Sequence, residues 1–237
     1  MSTTQVESSN STQGTPQHET WNMLVGDPEV FNNILSDIGV GNVEVNQVYC
    51  LEDDLVQNSV FGFLVCLPNK VTKTTYLAPE VALDPQPIHI KQTIGNACGG
   101  VALLHCLVNN PLVQYFDDST YRKINDICEK KKSYEERAEC VKFLKESFEK
   151  YAESSSSSDD SPREKKADAP KKEKVVNHFE GIINFNNKVW ILDGRKHLPV
   201  PVCEIPEGQN FKTVALKFLQ KRIEGLDMIS ILSLSLL

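Results

Sequence analysis

The sequence from Gln92 to Pro111 reads QTIGNACGGVALLHCLVNNP, and its long apolar run decides how the middle of the chain folds. Residues Ala97 to Val108 favour a helix that is apolar on nearly all sides, so we expect this helix to be buried. The residues Asn109-Asn110-Pro111 should end it. Cys98 would then lie at the start of a buried helix, next to two glycines.

Cys98 has two possible interpretations at this position. The N–H groups at a helix N-terminus carry partial positive charge, which lowers the pKa of a thiol and favours the thiolate that a nucleophile needs. Gly95, Gly99 and Gly100 would allow a substrate to approach closely. A free cysteine is, however, more often a buried and unreactive residue. The local sequence leaves both interpretations open.

A catalytic thiol also needs a base within hydrogen-bond reach. His105 lies about 10 Å further along the same helix, at a rise of about 1.5 Å per residue, which is too far for direct proton transfer. We therefore interpret His105 as a structural residue of the buried helix. His89 is a weaker candidate for the base, because the sequence shows no partner that would orient it.

The segment HFEGIINFNNKVWILD, residues 178–193, predicts a β-hairpin that turns at Asn186-Asn187, because asparagine tolerates the positive φ of such a turn. In this register Asp193 is a diagonal neighbour of His178 on one face. The opposite face collects apolar residues for a core: Phe179, Ile183, Phe185, Trp190 and Leu192. The hairpin thus presents a His–Asp pair; an incidental surface pair is the alternative.

Gln92 completes this set of polar residues. Its side-chain amide, six residues before the thiol, could donate to the oxygen of a carbonyl under attack. Together with the backbone N–H of Cys98 it would form an oxyanion hole. The alternative is an ordinary polar residue in front of a helix.

Composition and charge restrict the function further. The 237 residues are 40% hydrophobic and carry a net charge of -7, which argues against nucleic acid and favours a basic ligand surface. The seven cysteines show no C-x-x-C spacing, so we expect no metal site and a reducing compartment, the cytoplasm and also the nucleus. We also expect no secretory signal and no membrane span.

The organisation of the chain follows from its polar segments. Residues 1–19 predict a disordered tail, residues 20–237 a single domain, and the serine-rich, charged residues 152–176 a long loop inside that domain. Outside the central helix and the hairpin we expect helices from 28, within 119–152 and at 211–223, and strands at 43–49, 60–68, 88–90 and 228–237.

The motifs QTIGNACG, HF, LDGR and ERA, with the opening W…L…DPEVFN between Trp21 and Asn32, closely resemble the ubiquitin C-terminal hydrolases. These are small papain-like deubiquitinating cysteine peptidases, and the resemblance extends from Trp21 to Leu237. It implies an α/β (α+β) papain-like fold, in which helices flank both sides of a central antiparallel sheet and the backbone is knotted.

The resemblance also implies roles for the four candidate residues. Cys98 would be the nucleophile, His178 the general base and acid, Asp193 the residue that orients His178, and Gln92 the oxyanion donor. No metal and no cofactor is implied. The partner would be ubiquitin, with ubiquitin-like modifiers as alternatives, and the enzyme would act as a monomer.

The resemblance further implies a binding site and a preference for substrates. Trp21, Leu24 and Asn96 are candidates for substrate contacts. Residues 152–176 occupy the place of the family's active-site crossover loop, which implies cleavage of small or flexible adducts from the C-terminal glycine of ubiquitin. Two alternatives are a ubiquitin-binding protein with weak turnover and a general papain-type peptidase.

Overall fold

The computed structural model describes residues 19–129, 133–156 and 177–237. These residues form six strands: β1 (Val43–Gln47), β2 (Val60–Pro68), β3 (Asn177–Phe185), β4 (Lys188–Leu192), β5 (Val200–Glu204) and β6 (Ser230–Leu236). The strands form one sheet in the order β1-β6-β2-β3-β4-β5, and all neighbouring strands are antiparallel. The central antiparallel sheet expected from the sequence is confirmed.

Helices cover both faces of the sheet, also as expected. Their bounds are α1 (Pro28–Ile38), α2 (Asn69–Thr74), α3 (Cys98–Val108), α4 (Thr120–Glu129), α5 (Tyr134–Arg137), α6 (Lys145–Ser156) and α7 (Phe211–Ile223), with 3₁₀ helices at Asp53–Leu55 and Ala138–Leu144. One core contains residues of α1, α3, α4 and α6. In the core on the other face, α7 packs against the strands of the sheet.

Helix α1 begins and ends where its local sequence dictates. The carboxylate of Asp27 accepts a hydrogen bond from the backbone N–H of Glu29 at 2.8 Å, and Pro28 occupies the first turn, where a missing N–H costs little. Gly39 ends the helix with a φ of 80°, a conformation that favours glycine. Phe31 and Ile34 on its inner face are fully buried.

Helix α3 crosses the centre of the molecule. Every residue from Gly99 to Val108 is buried, which confirms the helix predicted from its apolar run. The helix approaches β3 closely because Gly181 has no side chain: a Cβ there would lie 3.1 Å from the carbonyl oxygen of Ala102. On its other side Gly100 packs against Leu144 and Phe148.

Strands β3 and β4 form the predicted hairpin. Asn186 and Asn187 both have positive φ, 48° and 57°, and Phe185 pairs with Lys188 as expected. Of the five predicted apolar side chains of the hairpin, four are buried in the core that contains α3, and Phe185 packs against this core. The local turn chemistry therefore sets the register that brings His178 and Asp193 to one edge.

The ends of several elements differ by one or two residues from the sequence prediction, and larger differences occur at residues 88–90, in α6 and at the N-terminal boundary. Residues 88–90 are not a strand, because their polar groups pair with side chains of α3 and its C-cap: the N–H and C=O of Ile88 bond to Asn109, and the N–H of Ile90 bonds to His105. Helix α6 continues past Ala152 to Ser156, into the predicted loop.

The N-terminal boundary differs as well. Glu19, which the sequence assigned to the tail, forms an ion pair with Lys145 at 2.9 Å, and its carbonyl accepts a hydrogen bond from Gly95. The predicted disorder of residues 1–18 and the predicted loop at 157–176 lie outside the described residues, and the knot implied by the resemblance stays a prediction. Among the helices in the described ranges, none is long and apolar enough to cross a bilayer.

The packing of α3 generates a stability prediction. A Cβ at position 100 would lie 2.6 Å from the Phe148 ring, so something must shift. We expect Gly100→Ala to lower the free energy of unfolding by about 1–3 kcal/mol in urea denaturation, although alanine alone favours a helix by about 1 kcal/mol. In the control Gly41→Ala, the new Cβ meets only Phe116 at 3.9 Å. Equal stability of the two variants would contradict the close packing of α3.

Candidate active site

Cys98 is the first residue of α3 and is half-buried. Its thiol interacts with the imidazole of His178, the second residue of β3, closely enough for each group to change the pKa of the other. Burial by itself would raise the pKa of the Cys98 thiol, but the hydrogen bond and charge of His178 outweigh burial, and the pKa lies below its usual value. The thiol is therefore more readily ionised than an ordinary cysteine, which is the property that a nucleophile requires.

His178 connects the thiol to a carboxylate. Its Nε2 lies 2.7 Å from Oδ1 of Asp193, so Nδ1 is the ring nitrogen left to face Cys98. Burial lowers the pKa of His178, whereas its interactions with Asp193 and Cys98 raise this pKa. The upward effect is the larger one, so the pKa of His178 lies above its usual value. A raised imidazole pKa beside a lowered thiol pKa favours the thiolate–imidazolium pair over the neutral pair.

Asp193 follows β4 directly, and only 2% of its surface is exposed. Burial would raise the pKa of this carboxyl, but His178 and Arg195 hold it well below its usual range. The backbone N–H of Arg195 donates to Oδ1 at 3.0 Å, and the guanidinium lies 3.4 Å from Oδ2. Asp193 thus remains ionised and can orient the imidazole through Nε2.

Gln92 lies beside the loop that follows β4 and contains Asp193 and Gly194. Its backbone N–H donates to the carbonyl of Gly194 at 2.8 Å, and its side-chain amide donates to the carbonyl of Ile94 at 3.1 Å. An amide carries two N–H donors, so one of them remains for an oxyanion. In the described part of the chain, Oε1 of Gln92 has no hydrogen-bond partner although it is buried.

A groove of about 400 Å³ opens beside Cys98. Leu24 and Asn96, two of the residues expected to contact substrate, line it together with Gly26, Phe179 and Met228. The groove is mainly apolar, and the exposed side chains of Met23, Val25 and Met228 continue its apolar surface outward. A ligand strand that passes Cys98 would follow this groove.

The structure places Trp21 elsewhere than expected. Its side chain is 6% exposed and its ring packs 4.8 Å from that of Phe148, so it belongs to the core and does not line the groove. Only its backbone reaches the site, where its carbonyl accepts a hydrogen bond from the amide of Asn96. An aromatic residue near the start of a domain is equally suited to core and surface, and the pattern of the sequence does not separate the two.

The other candidate histidines have structural contacts. His105 is fully buried and its Nε2 accepts a hydrogen bond from the N–H of Ile90, which agrees with its interpretation as a structural residue. His89 stacks on His105, and its Nε2 lies 3.0 Å from the carbonyl oxygen of Asp193. Burial lowers the pKa of His89 to about 4, so it is neutral near pH 7.

Sequence reasoning missed several residues that support Asp193. The hydroxyl of Tyr134 lies 2.9 Å from the carbonyl of Gly194 and 2.6 Å from that of Lys196, so it holds the turn after Asp193. Tyr134 is the first residue of α5 and lies inside a capping box formed by Ser133 and Glu136, a local pattern that indicates a helix start but no link to the site. The described ranges contain no group of three or more His, Cys, Asp or Glu side chains that could hold a metal ion.

The site thus has the arrangement of a cysteine hydrolase: a thiol at a helix N-terminus, an imidazole and a buried carboxylate, set on an antiparallel sheet. The profile of the family described as "Ubiquitin carboxyl-terminal hydrolase, family 1" matches residues 21–224. The chain belongs to this family and is a cysteine-type thiol hydrolase.

Relatives and solved structures agree with this assignment. The chain is 30% identical over 195 residues to a "Ubiquitin carboxyl-terminal hydrolase" of Drosophila melanogaster, which covers 76% of this chain and 81% of the relative. A protein of the same name from Aplysia californica is 31% identical over 187 residues, with 76% and 84% covered.

The fold has a solved counterpart. The catalytic domain of Trichinella spiralis UCH37, in a crystal structure with ubiquitin vinyl methyl ester, superimposes with a TM-score of 0.71 at 16% identity. The superposition covers 92% of this chain and 95% of that domain. At this identity the likeness concerns the fold.

The reactivity of the thiols generates a second prediction. Near neutral pH, iodoacetamide should modify Cys98 faster than the more exposed Cys203, because the pKa of Cys98 is lowered, whereas partial burial raises the pKa of Cys203. His178→Ala should slow modification of Cys98 about tenfold or more, because the thiol loses the imidazole that holds its pKa down. Peptide mass spectrometry would measure each rate. His197→Ala, at an exposed histidine, serves as the control; equal rates in the two histidine variants would exclude His178 as the partner of the thiol.

Proposed function

We propose that this chain hydrolyses the bond that follows the C-terminal glycine of ubiquitin. The observation that carries the proposal is the arrangement of Cys98, His178 and Asp193 beside the groove, in which the imidazole is hydrogen-bonded to the carboxylate and lowers the pKa of the thiol, in a chain of the ubiquitin carboxyl-terminal hydrolase family. The roles of the site residues follow from their chemistry.

In the proposed reaction the thiolate of Cys98 attacks the glycine carbonyl carbon and forms a C–S bond. The backbone N–H of Cys98 and the amide of Gln92 donate to the oxyanion. The imidazolium of His178 gives its proton to the leaving amine or alcohol as that bond breaks. His178 then takes a proton from water, and the water oxygen attacks the thioester carbonyl carbon. The C–S bond breaks, ubiquitin leaves with a free C-terminal carboxyl group, and the pair of Cys98 thiolate and His178 imidazolium is restored.

Four observations support ubiquitin as the substrate. The relatives are named ubiquitin carboxyl-terminal hydrolases, and the solved catalytic domain of similar fold was bound to ubiquitin vinyl methyl ester. The groove beside Cys98 suits an extended strand that ends in small residues, because Gly26 and Gly99 line it. The net charge of -7 also suits a basic tail.

The alternative of a ubiquitin-binding protein with weak turnover is less well supported. A binding protein has no need of an ionised thiol, whereas the pKa of Cys98 is lowered and that of His178 is raised. A general peptidase activity has no specific observation in its favour. Preference for small or flexible adducts, a monomeric state and a cytoplasmic or nuclear location are further parts of the proposal; all seven cysteines are free, which suits a reducing compartment.

The main test compares three substrates. We expect rapid hydrolysis of a fluorogenic ubiquitin amide, slow cleavage of an isopeptide-linked ubiquitin dimer, and no cleavage of a short peptide amide. Cys98→Ser should abolish hydrolysis while ubiquitin binding survives, because the thiol contributes bond-making and little contact area. Ubiquitin binding without turnover by the wild-type chain would favour the binding protein, and equal cleavage of the short peptide would favour the general peptidase.

Gln92→Ala tests the oxyanion donor. We expect kcat on the ubiquitin amide to fall by about 10²–10³, the usual loss for one such donor. The rate of Cys98 alkylation should stay unchanged, because Gln92 acts on the oxyanion and not on the thiol. Gln209→Ala, at an exposed amide far along the chain, is the matched control. An unaltered kcat in Gln92→Ala would remove this residue from the mechanism.

A further inference from the structure

Glu180 is a carboxylate with no exposed surface, two residues after His178 in β3. Side chains alternate along a strand, so Glu180 lies on the same face as His178, towards the core built from α7. The described catalytic series does not use this residue. An ionised carboxylate in such a place must have cationic partners, because burying an unpaired charge is very costly.

Two cationic side chains form ion pairs with Glu180. Its Oε2 accepts a hydrogen bond from Arg222 in the last turn of α7, whose guanidinium is covered by the rings of Tyr76 and Phe218. Its Oε1 lies 3.2 Å from the ammonium of Lys196. Both cations come from elements outside β3, so the carboxylate ties α7 and the loop after β4 to the strand that carries His178.

Lys196 links this buried carboxylate to the catalytic one. Its Nζ lies 3.5 Å from Oδ2 of Asp193 and 3.2 Å from both Oε1 of Glu180 and the carbonyl of Thr72. One ammonium is therefore shared between two buried carboxylates. Together with Arg195 and Arg222 it makes three cations around Asp193 and Glu180, so the cluster carries one excess positive charge.

We propose that Glu180 and Lys196 are positioning residues for the proposed Cys98–His178–Asp193 reaction. Glu180 holds the Lys196 ammonium between the two carboxylates, and this limits how strongly the ammonium neutralises Asp193. Asp193 then keeps the charge with which it orients and stabilises the imidazolium of His178. This inference rests on the proposed function but concerns residues that the proposed mechanism does not use.

Other described groups also face this cluster. They are Cys98 and His105 from α3, Cys66 from β2, His89 from the segment before α3, Tyr134 from α5, and Arg137 and His197 beside His89. None of them is changed by the variants below, so their contributions cancel when the variants are compared with the wild type. The sign of each shift then depends on the altered charge alone.

The two residues should move the pH profile in opposite directions. Glu180→Gln removes a negative charge, so the thiolate of Cys98 becomes easier to form and the imidazolium of His178 harder to keep. Both limbs of the kcat/KM profile should move to lower pH by about one unit, as expected for a unit charge within about 10 Å at an effective dielectric of about 20. Lys196→Met removes a positive charge, and both limbs should move to higher pH by a similar amount.

The double variant Glu180→Gln with Lys196→Met should return the profile close to that of the wild type, because the two charge changes cancel. Glu204→Gln is the matched control, since it removes the same charge from an exposed pair with Lys188; its profile should be unchanged. Thermal unfolding identifies a variant that fails to fold, and the remaining single variant still tests the direction of the shift.

A second readout separates this inference from the proposed function. The pH dependence of Cys98 alkylation by iodoacetamide needs no substrate, and its midpoint should fall in Glu180→Gln and rise in Lys196→Met. If the wild-type chain does not hydrolyse ubiquitin amide but these midpoints shift, only the proposed function fails. If both variants lose activity with unshifted profiles and midpoints, the two residues are merely structural and the positioning role is wrong.

Discussion

The site depends on keeping one carboxylate, Asp193, ionised inside the protein. A buried charge is tolerated only when hydrogen bonds and opposite charges replace the water that it loses. Here the imidazole of His178, the backbone and guanidinium of Arg195 and the ammonium of Lys196 surround the carboxylate. Each of these partners must be held in place by the surrounding fold, so the packing around the loop after β4 is also part of the catalytic arrangement.

That packing is built from both sides of the sheet. On one side α3 crosses β3 at the contact of Ala102 with Gly181, and this brings Cys98 to the edge where His178 lies. On the other side Arg222 of α7 supports Glu180. Helix α3, on one face of the sheet, therefore supplies the thiol, and α7, on the other face, supplies the Arg222 guanidinium that balances the charge of Glu180.

The loop after β4 is the point where these layers meet. Gly194 leaves no room for a Cβ, because one would lie 2.7 Å from Val101 and 2.9 Å from Gln92. The hydroxyl of Tyr134, in α5, donates a hydrogen bond to the carbonyl of Gly194, and the backbone N–H of Gln92 donates to the same carbonyl. Because one carbonyl receives both contacts, α5, the oxyanion candidate Gln92 and the carboxylate are connected through a single turn.

Local patterns determined much of this protein by themselves. The apolar run after Ala97 specified a buried helix, and Asn186-Asn187 specified a hairpin whose register makes Asp193 a diagonal neighbour of His178, because turn type and strand period act over a few residues. The motif around Cys98 was specific enough to indicate the family. Tertiary structure alone decided that residues 88–90 are satisfied by side chains from α3 and its C-cap, and that Trp21 lies in the core. It also placed Lys196 between Glu180 and Asp193, because buried ion pairs join residues whose separation in the sequence carries no signal.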